Sequence, residues 1–299
     1  MEKRKIIRQG KGTLTMSLPS AWVHQLGLHA GDELAVEQKG LQLVIGASLG
    51  AKHGKRTELD VSMCKRGIIN GVLSTLYTRG DDEFVLQYKT PEQYRTIVDG
   101  VKNLVGFEVV EHAGNKVVLK ELAHTANENF DQILRRIFLL LVSMAEEGVI
   151  AFREKKDLTV LRMQDLQVNS LVLFSLRVLN KQGVNDVQKA MHLYALLNFL
   201  EQLGDEYARL YREVETVDAK TIQFAARIAK LVRGFYDMYY NYSLAKASAL
   251  KQERDDIRNE LKDHFPKAKK RDDLIALNHL RQIGDLAVDI MKFQLAMQI

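Results

Sequence analysis

From His124 onward the chain contains a single proline, Pro266, and its apolar residues recur at three- and four-residue spacing, the period of an amphipathic helix. The pattern divides into six long helices, about 125–154, 158–181, 186–214, 217–244, 246–264 and 271–298. Breaks fall at Asp157, Lys181-Gln182-Gly183 and His264-Phe265-Pro266. Three plus three long helices suggest a duplication, and a repeat supports it. Leu197-Asn198-Phe199-Leu200-Glu201-Gln202-Leu203-Gly204-Asp205 returns 80 residues later as Leu277-Asn278-His279-Leu280-Arg281-Gln282-Ile283-Gly284-Asp285, identical at six of nine positions. Each copy falls inside the last helix of its trio. Glycine inside a helix costs about 1 kcal/mol relative to alanine, so its presence twice in register implies that another backbone or a ligand comes close. Self-similarity at this spacing predicts two related three-helix bundles.

Glu201 and Asp205 are four residues apart, so their carboxylates project from one helix face. This phrase and its second copy resemble the Glu-x-x-Gly-Asp signature of the PhoU family, regulators built from two three-helix bundles and associated with phosphate transport and signalling. The resemblance covers residues 124–299. It implies acidic pairs at four-residue spacing on neighbouring helices, where members of that family can hold metal ions. Here the second helix of the first trio offers Asp165 and Asn169, with Asn169 standing where an acid is expected. A site of Asp165, Asn169, Glu201 and Asp205 is oxygen-only and suits a hard cation such as magnesium, manganese or ferrous iron. The second trio offers Asp256, Glu260 and Asp285, with Asp255 beside them, but Arg281 replaces the first acid of the phrase. That weaker site loses a ligand, and is open to a salt bridge with Asp285 or to an anion instead. The alternative for Glu201 and Asp205 is a solvated, charged helix face.

The first 45 residues carry a different pattern. A basic strand from Lys3 to Arg8, a turn from Gln9 to Gly12 and a strand from Thr13 to Leu18 lead to Pro19 at a helix start and Gly27 at its stop. Gly31-Asp32 then turns into a hairpin, Glu33 to Ile45, folded at Lys39-Gly40. So few residues cannot bury a core alone, so an intertwined dimer is expected. The block resembles the SpoVT/AbrB swapped-hairpin DNA-binding domain, the fold shared with MazE-type antitoxins. Arg8, Gly12-Thr13-Leu14-Thr15, Ser17-Leu18-Pro19, Leu26-Gly27-Leu28, Gly31-Asp32 and Leu34 carry that resemblance. It implies a homodimer that exchanges hairpins and lays Lys3, Arg4, Lys5, Arg8 and Lys11 against DNA. Charge agrees: residues 1–56 hold nine basic and four acidic side chains, the whole net charge of +5, and the rest of the chain is balanced. That is what a phosphate-contacting module on a neutral body looks like, with a solvated basic tail as the plain alternative.

Between these parts, Gly46 to Arg56 is Gly-rich and reads as a linker. Residues 57–122 predict a small α+β module: a helix over Met63–Thr78, a strand over Glu83–Tyr88, a helix capped by Thr90 with Pro91 at its first position, and a hairpin of Phe107–His112 and Lys116–Lys120 around Gly114-Asn115. The fold class expected is therefore multidomain: a swapped-hairpin β domain over 1–46, the α+β domain over 57–122, and an all-α domain of two three-helix bundles over 124–299. Cys64 is the only cysteine, which excludes a disulfide framework or a cysteine zinc site. The longest apolar run, Ile137 to Ala145, is too short to span a bilayer, and the basic start leads into strands rather than a secretory signal. A cytoplasmic protein without membrane insertion is expected. No nucleophile–base pair or phosphate-cradling glycine loop occurs, so an enzyme is not expected. The tyrosine run at Tyr236, Tyr239, Tyr240 and Tyr242 reads as bundle packing. Together these features predict a DNA-binding transcriptional regulator with a PhoU-like sensor domain. The alternative is an adaptor that regulates a phosphate transporter by protein contacts, with the N-terminal domain used for dimerisation.

Overall fold

A computed structural model describes residues 4–10, 12–39, 42–47, 55–123, 129–182 and 187–298. Lys3, Lys11 and Gly40 lie outside the described residues. The chain divides into two compact units, Met1–His53 and Gly54–Ile299.

The first unit holds β1 (Ile6–Gln9), β2 (Thr13–Met16), α1 (Ser20–Gln25), β3 (Leu34–Lys39) and β4 (Gln42–Ala47). The first two strands pair antiparallel with Ile6 opposite Met16 and Arg8 opposite Leu14. The second two pair with Val36 opposite Ile45. Gly27 takes a φ of +63° just past α1, the left-handed conformation that glycine adopts without penalty. Within one chain the two ribbons remain separate two-stranded sheets. Their apolar side chains are left in solvent: Ile6 is 67% exposed, Leu14 66%, Val36 60% and Leu43 67%. An isolated two-stranded ribbon is marginal in water.

The second unit begins with β5 (Arg56–Asp60), α2 (Arg66–Thr78), β6 (Glu83–Gln87), α3 (Pro91–Val101), β7 (Phe107–Ala113) and β8 (Lys116–Glu121). These form a four-stranded sheet of order β5-β6-β8-β7, with β5 parallel to β6 and the other neighbours antiparallel. The strand β5 is absent from the sequence reading, because Arg56-Thr57-Glu58-Leu59-Asp60 is an exposed edge strand with no apolar alternation. Helix α2 starts three residues later than expected, because Ser62 and Cys64 turn the chain and offer their carbonyls to the Gln93 side chain. Thr90 and Gln93 form a full capping box on α3.

Six helices follow: α4 (Phe130–Glu154), α5 (Thr159–Gln182), α6 (Val187–Glu213), α7 (Ala219–Tyr240), α8 (Leu244–His264) and α9 (Arg271–Gln298). Their limits agree with the apolar periodicity to within a few residues, except at α4, which starts at Phe130. Helices α4–α6 form one bundle and α7–α9 the other, packed together through α4 against α7 and α6 against α9. Phe138 of α4 meets Phe235, Tyr236, Tyr239 and Tyr240 of α7 at ring-centroid distances of 4.9–6.1 Å, so the aromatic run is the seam between bundles.

The α+β part and the bundles belong to one compact unit rather than two. Arg177 of α5 is fully buried and joins them. Its guanidinium donates to the carbonyls of Tyr77 (2.8 Å) and Asp81 (2.7 Å) and to the carboxylates of Glu121 (2.8 Å) and Asp82 (3.2 Å). It lies 5.0 Å from the ring centroids of both Tyr77 and Phe107. Lys181, one turn on, pairs with the same two carboxylates and neutralises the group.

Packing inside the first bundle is equally close. A Cβ on Gly148 would sit 2.0 Å from the Tyr211 hydroxyl, which donates to the Met144 carbonyl. Gly148→Ala is therefore expected to cost about 1–3 kcal/mol by overpacking, measured by denaturant unfolding. Tyr211→Phe in the same chain, which removes the clashing oxygen, should recover part of the loss.

Candidate functional site

The two repeat glycines each mark a close approach of three helices. A Cβ on Gly204 would lie 3.1 Å from Asp165 Oδ1 and 3.2 Å from Val168, both on α5, and 3.5 Å from Leu141 of α4. A Cβ on Gly284 would lie 2.9 Å from Ile228 of α7 and 3.9 Å from Arg254 of α8. The bundles are thus built alike around these points, but their charge is opposite. Where the first has Asp165 over the glycine, the second has Arg254.

In the first bundle the structure brings Asp165, Asn169, Glu201 and Asp205 to one place between α5 and α6. Asp165 is 9% exposed, and its Oδ1 and the Oδ1 of Asn169 are buried without a hydrogen-bond partner. Asn169 donates a long bond of 3.4 Å to the other Asp165 oxygen. Burial, then the Asp205 charge, pushes the Asp165 carboxyl up to about 6. Burial, then Asp205 and Asp165, pushes Glu201 up to about 7. Asp205 itself is engaged by Arg209 at 2.6 Å. Among the described residues no three His, Cys, Asp or Glu side chains converge closely enough to hold a metal ion. The site as folded holds two carboxyls, Asp165 and Glu201, that burial and neighbouring charge hold toward the protonated form.

The acids expected of the second site are separated. Asp285 pairs with Arg254 at 2.8 Å and Arg258 at 3.9 Å. Glu260 pairs with Arg227 at 2.6 Å, and Asp256 accepts from Gln252 at 2.9 Å. Three arginines, Arg254, Arg258 and Arg281, gather around Gly284 and Asp285. The salt-bridge alternative holds at Asp285, with Arg254 rather than Arg281 as its partner; Arg281 donates to Asn278 instead.

One group went unseen in the sequence. His279 of α9 is buried, with Nδ1 2.6 Å from Glu206 of α6 and Nε2 3.7 Å from Glu213. Glu206 also accepts from Arg209 at 2.9 Å. Asp205, Arg209, Glu206 and His279 therefore form a continuous chain of charge from the first acidic site to the second bundle. The signal was present: His279 occupies the repeat position of Phe199, a polar residue where its copy is apolar. Of the basic N-terminal residues, Lys5 and Arg8 are exposed, as is Arg4.

No family model and no curated protein matches the chain. Among solved structures it is similar to the phosphate transport system regulatory protein PhoU from Streptococcus pneumoniae, at 14% identity and a TM-score of 0.45, over 56% of this chain and 93% of that one. It is similar to PhoU from Pseudomonas aeruginosa at 17% identity and a TM-score of 0.44, over 56% of this chain and 95% of that one. Among the described residues no helix is long and apolar enough to cross a membrane.

The pH behaviour follows from signs. Asp165 and Glu201 have folded values above their unfolded ones, so they cost no stability while protonated and cost progressively more as pH rises through about 6–7. His279 is raised, first by its bond with Glu206, so its contribution is full below its unfolded value of 6.5 and is lost as pH climbs past the folded one. The carboxyl cost therefore builds from the unfolded values, 3.8 for Asp165 and 4.5 for Glu201, up to about 6–7, and the His279 loss is added above 6.5. Glu201→Gln, neutral throughout, is expected to raise the melting temperature at pH 8 and to flatten the decline; an equally steep decline in that variant would contradict the assignment.

Proposed function

We propose that this chain is a homodimeric DNA-binding transcriptional regulator whose helical unit carries the sensing site, and that the genes it controls serve phosphate uptake. The observation that carries the reading is the character of the first unit. It exposes Arg4, Lys5 and Arg8, and on its two separate ribbons it also exposes large apolar side chains, Ile6 and Leu14 on one and Val36 and Leu43 on the other. A second copy would cover the apolar residues, and dimerisation would double the cations offered to a phosphate backbone. The resemblance of Glu201-Gln-Leu-Gly-Asp205 to the PhoU signature supports the link to phosphate. The unneutralised carboxyls at Asp165 and Glu201, joined through Asp205, Arg209 and Glu206 to His279, support a sensing role, because a change of charge at one end alters the partners available at the other. A divalent cation at these carboxyls would need them to close further than they stand.

A second reading has its own support. Val160, Met163 and Leu166 lie three apart on one face of α5 and are 67%, 60% and 52% exposed. Such a stripe suits a protein partner, as an adaptor acting on a phosphate transporter would require.

The two readings separate on DNA. The full chain is expected to co-purify with, and protect, specific DNA fragments identifiable by sequencing. Arg8→Ala removes two cations per dimer and should reduce the slope of log affinity against log salt by about 2. Leu14→Glu should yield monomers in sedimentation and abolish retention. An unchanged salt slope in Arg8→Ala, or a dimer that retains no DNA, favours the adaptor.

A further inference from the structure

The first acidic site opens into a cavity that neither the repeat nor the bundle explains. A cleft of about 320 Å³ lies where α2 and α3 of the α+β part face α5 and α6 of the first bundle. Its polar lining consists of Asn70, Ser74, Asn103, Asn169, Asn198 and Glu201, and its walls are leucines and a valine of the same helices. Among the described residues no lysine or arginine lines it. The lining amides are poorly used: Asn169 Oδ1 is buried without a partner, and Asn198 spends only its Nδ2, on the Tyr194 carbonyl. The charged groups around Glu201 are Asp165 of α5 and Asp205 and Arg209 of α6, while α2 and α3 contribute none. Three carboxyls thus face two guanidiniums, Arg209, which is already shared between Asp205 and Glu206, and Arg212, whose charge acts on Asp165.

We propose that this interdomain cavity binds a small organic cation, an amine or guanidine with a short apolar body, whose charged nitrogen is received by Glu201 and whose remaining donors meet the side-chain oxygens of Asn198 and Asn70. The sign of the charge follows from the lining, which repels anions and leaves carboxyl and amide oxygens as acceptors. The size follows from the volume, at the lower end of the roughly 300–1,000 Å³ typical of small-molecule sites and far more than a bare ion fills. Apolar walls at Leu73, Val172 and Leu173 give the carbon skeleton its place. The ligand touches both the α+β part and the bundle, so it would hold the two in their present relation. A small polar ligand buried at a domain seam is a natural effector, and this inference rests on the helical unit being a sensor. It does not depend on whether the N-terminal unit meets DNA or protein.

Titration calorimetry on the full-length protein tests it, with putrescine and agmatine as organic probes and magnesium and manganese chloride as inorganic ones. At least one organic probe is expected to bind once per chain at millimolar concentration or below. Glu201→Gln, the same size without charge, should lose at least tenfold in affinity. Leu173→Trp, which fills the cavity and spares the carboxyl, should abolish binding while its melting curve shows a folded chain. Glu154→Gln, on the surface of α4, should bind as the wild type does. Binding unaffected by Glu201→Gln or by Leu173→Trp overturns the proposal, as does binding of the metals alone, or of none of the four probes. DNA retention and sedimentation of the same preparation report separately on the regulator reading, so failure of one does not stand for failure of the other.

Discussion

The buried guanidinium of Arg177 is the interaction on which the second unit depends. Taking a charge out of water costs several kcal/mol unless hydrogen bonds and opposite charge compensate it. Here two carbonyls, two carboxylates and two aromatic rings do so, and Lys181 balances the second acid. The partners all come from the α+β part: Tyr77 ends α2, Asp81 and Asp82 precede β6, Phe107 opens β7 and Glu121 closes β8. One side chain therefore gathers the end of α2 and the ends of β6, β7 and β8. It also fixes α5 beside α2 and α3, and that placement creates the cavity into which Glu201 looks.

Duplication explains the shape of the helical part, and divergence explains its chemistry. Both bundles use a glycine to let a flanking helix approach the last helix of the trio. In the first copy the approaching residues on α5 are Asp165 and Val168, and the phrase keeps Glu201. In the second, Arg254 and Arg258 take the place opposite Asp285, and Arg281 replaces the glutamate. The second site is closed by its own ion pairs. The first is left with charge it does not neutralise, which lowers stability at neutral pH and leaves the site responsive to protons or cations. The Asp205–Arg209–Glu206–His279 chain links the two copies through ion pairs.

Much of this was legible in the residues. Long helices announce themselves by periodicity, and the paired Gly-Asp phrases gave both the bundle architecture and the four residues of the first site. The losses have physical reasons. An exposed edge strand such as β5 needs no apolar alternation, since it buries little. Four-residue spacing placed Asp256 and Glu260 on one face of α8 but could not say which face; Arg254 and Arg258 are the ones turned to Asp285. Residues 57–122 read as a module of their own because the side chains that tie them to the bundle, Arg177 with Lys181, Ser170 and Asn180, all sit on α5, whose apolar period assigns it to the bundle alone. Arg177 does stand out in Leu171-Val172-Leu173-Phe174-Ser175-Leu176-Arg177-Val178-Leu179, a charge inside an apolar run, yet its partners lie about 55–100 residues away in sequence.

A double-mutant cycle across the joint tests the account most directly. Arg177→Met, Glu121→Gln and the double variant would be compared with the wild type by denaturant unfolding. If the buried charge group locks the α+β part to the bundle, each single variant leaves a buried partner uncompensated and costs about 3–5 kcal/mol. The double variant should then cost much less than their sum, a coupling of about 2 kcal/mol or more, with one unfolding transition in the wild type. Single-variant losses that simply add, or a wild type whose sheet and helices unfold in separate steps, would contradict it.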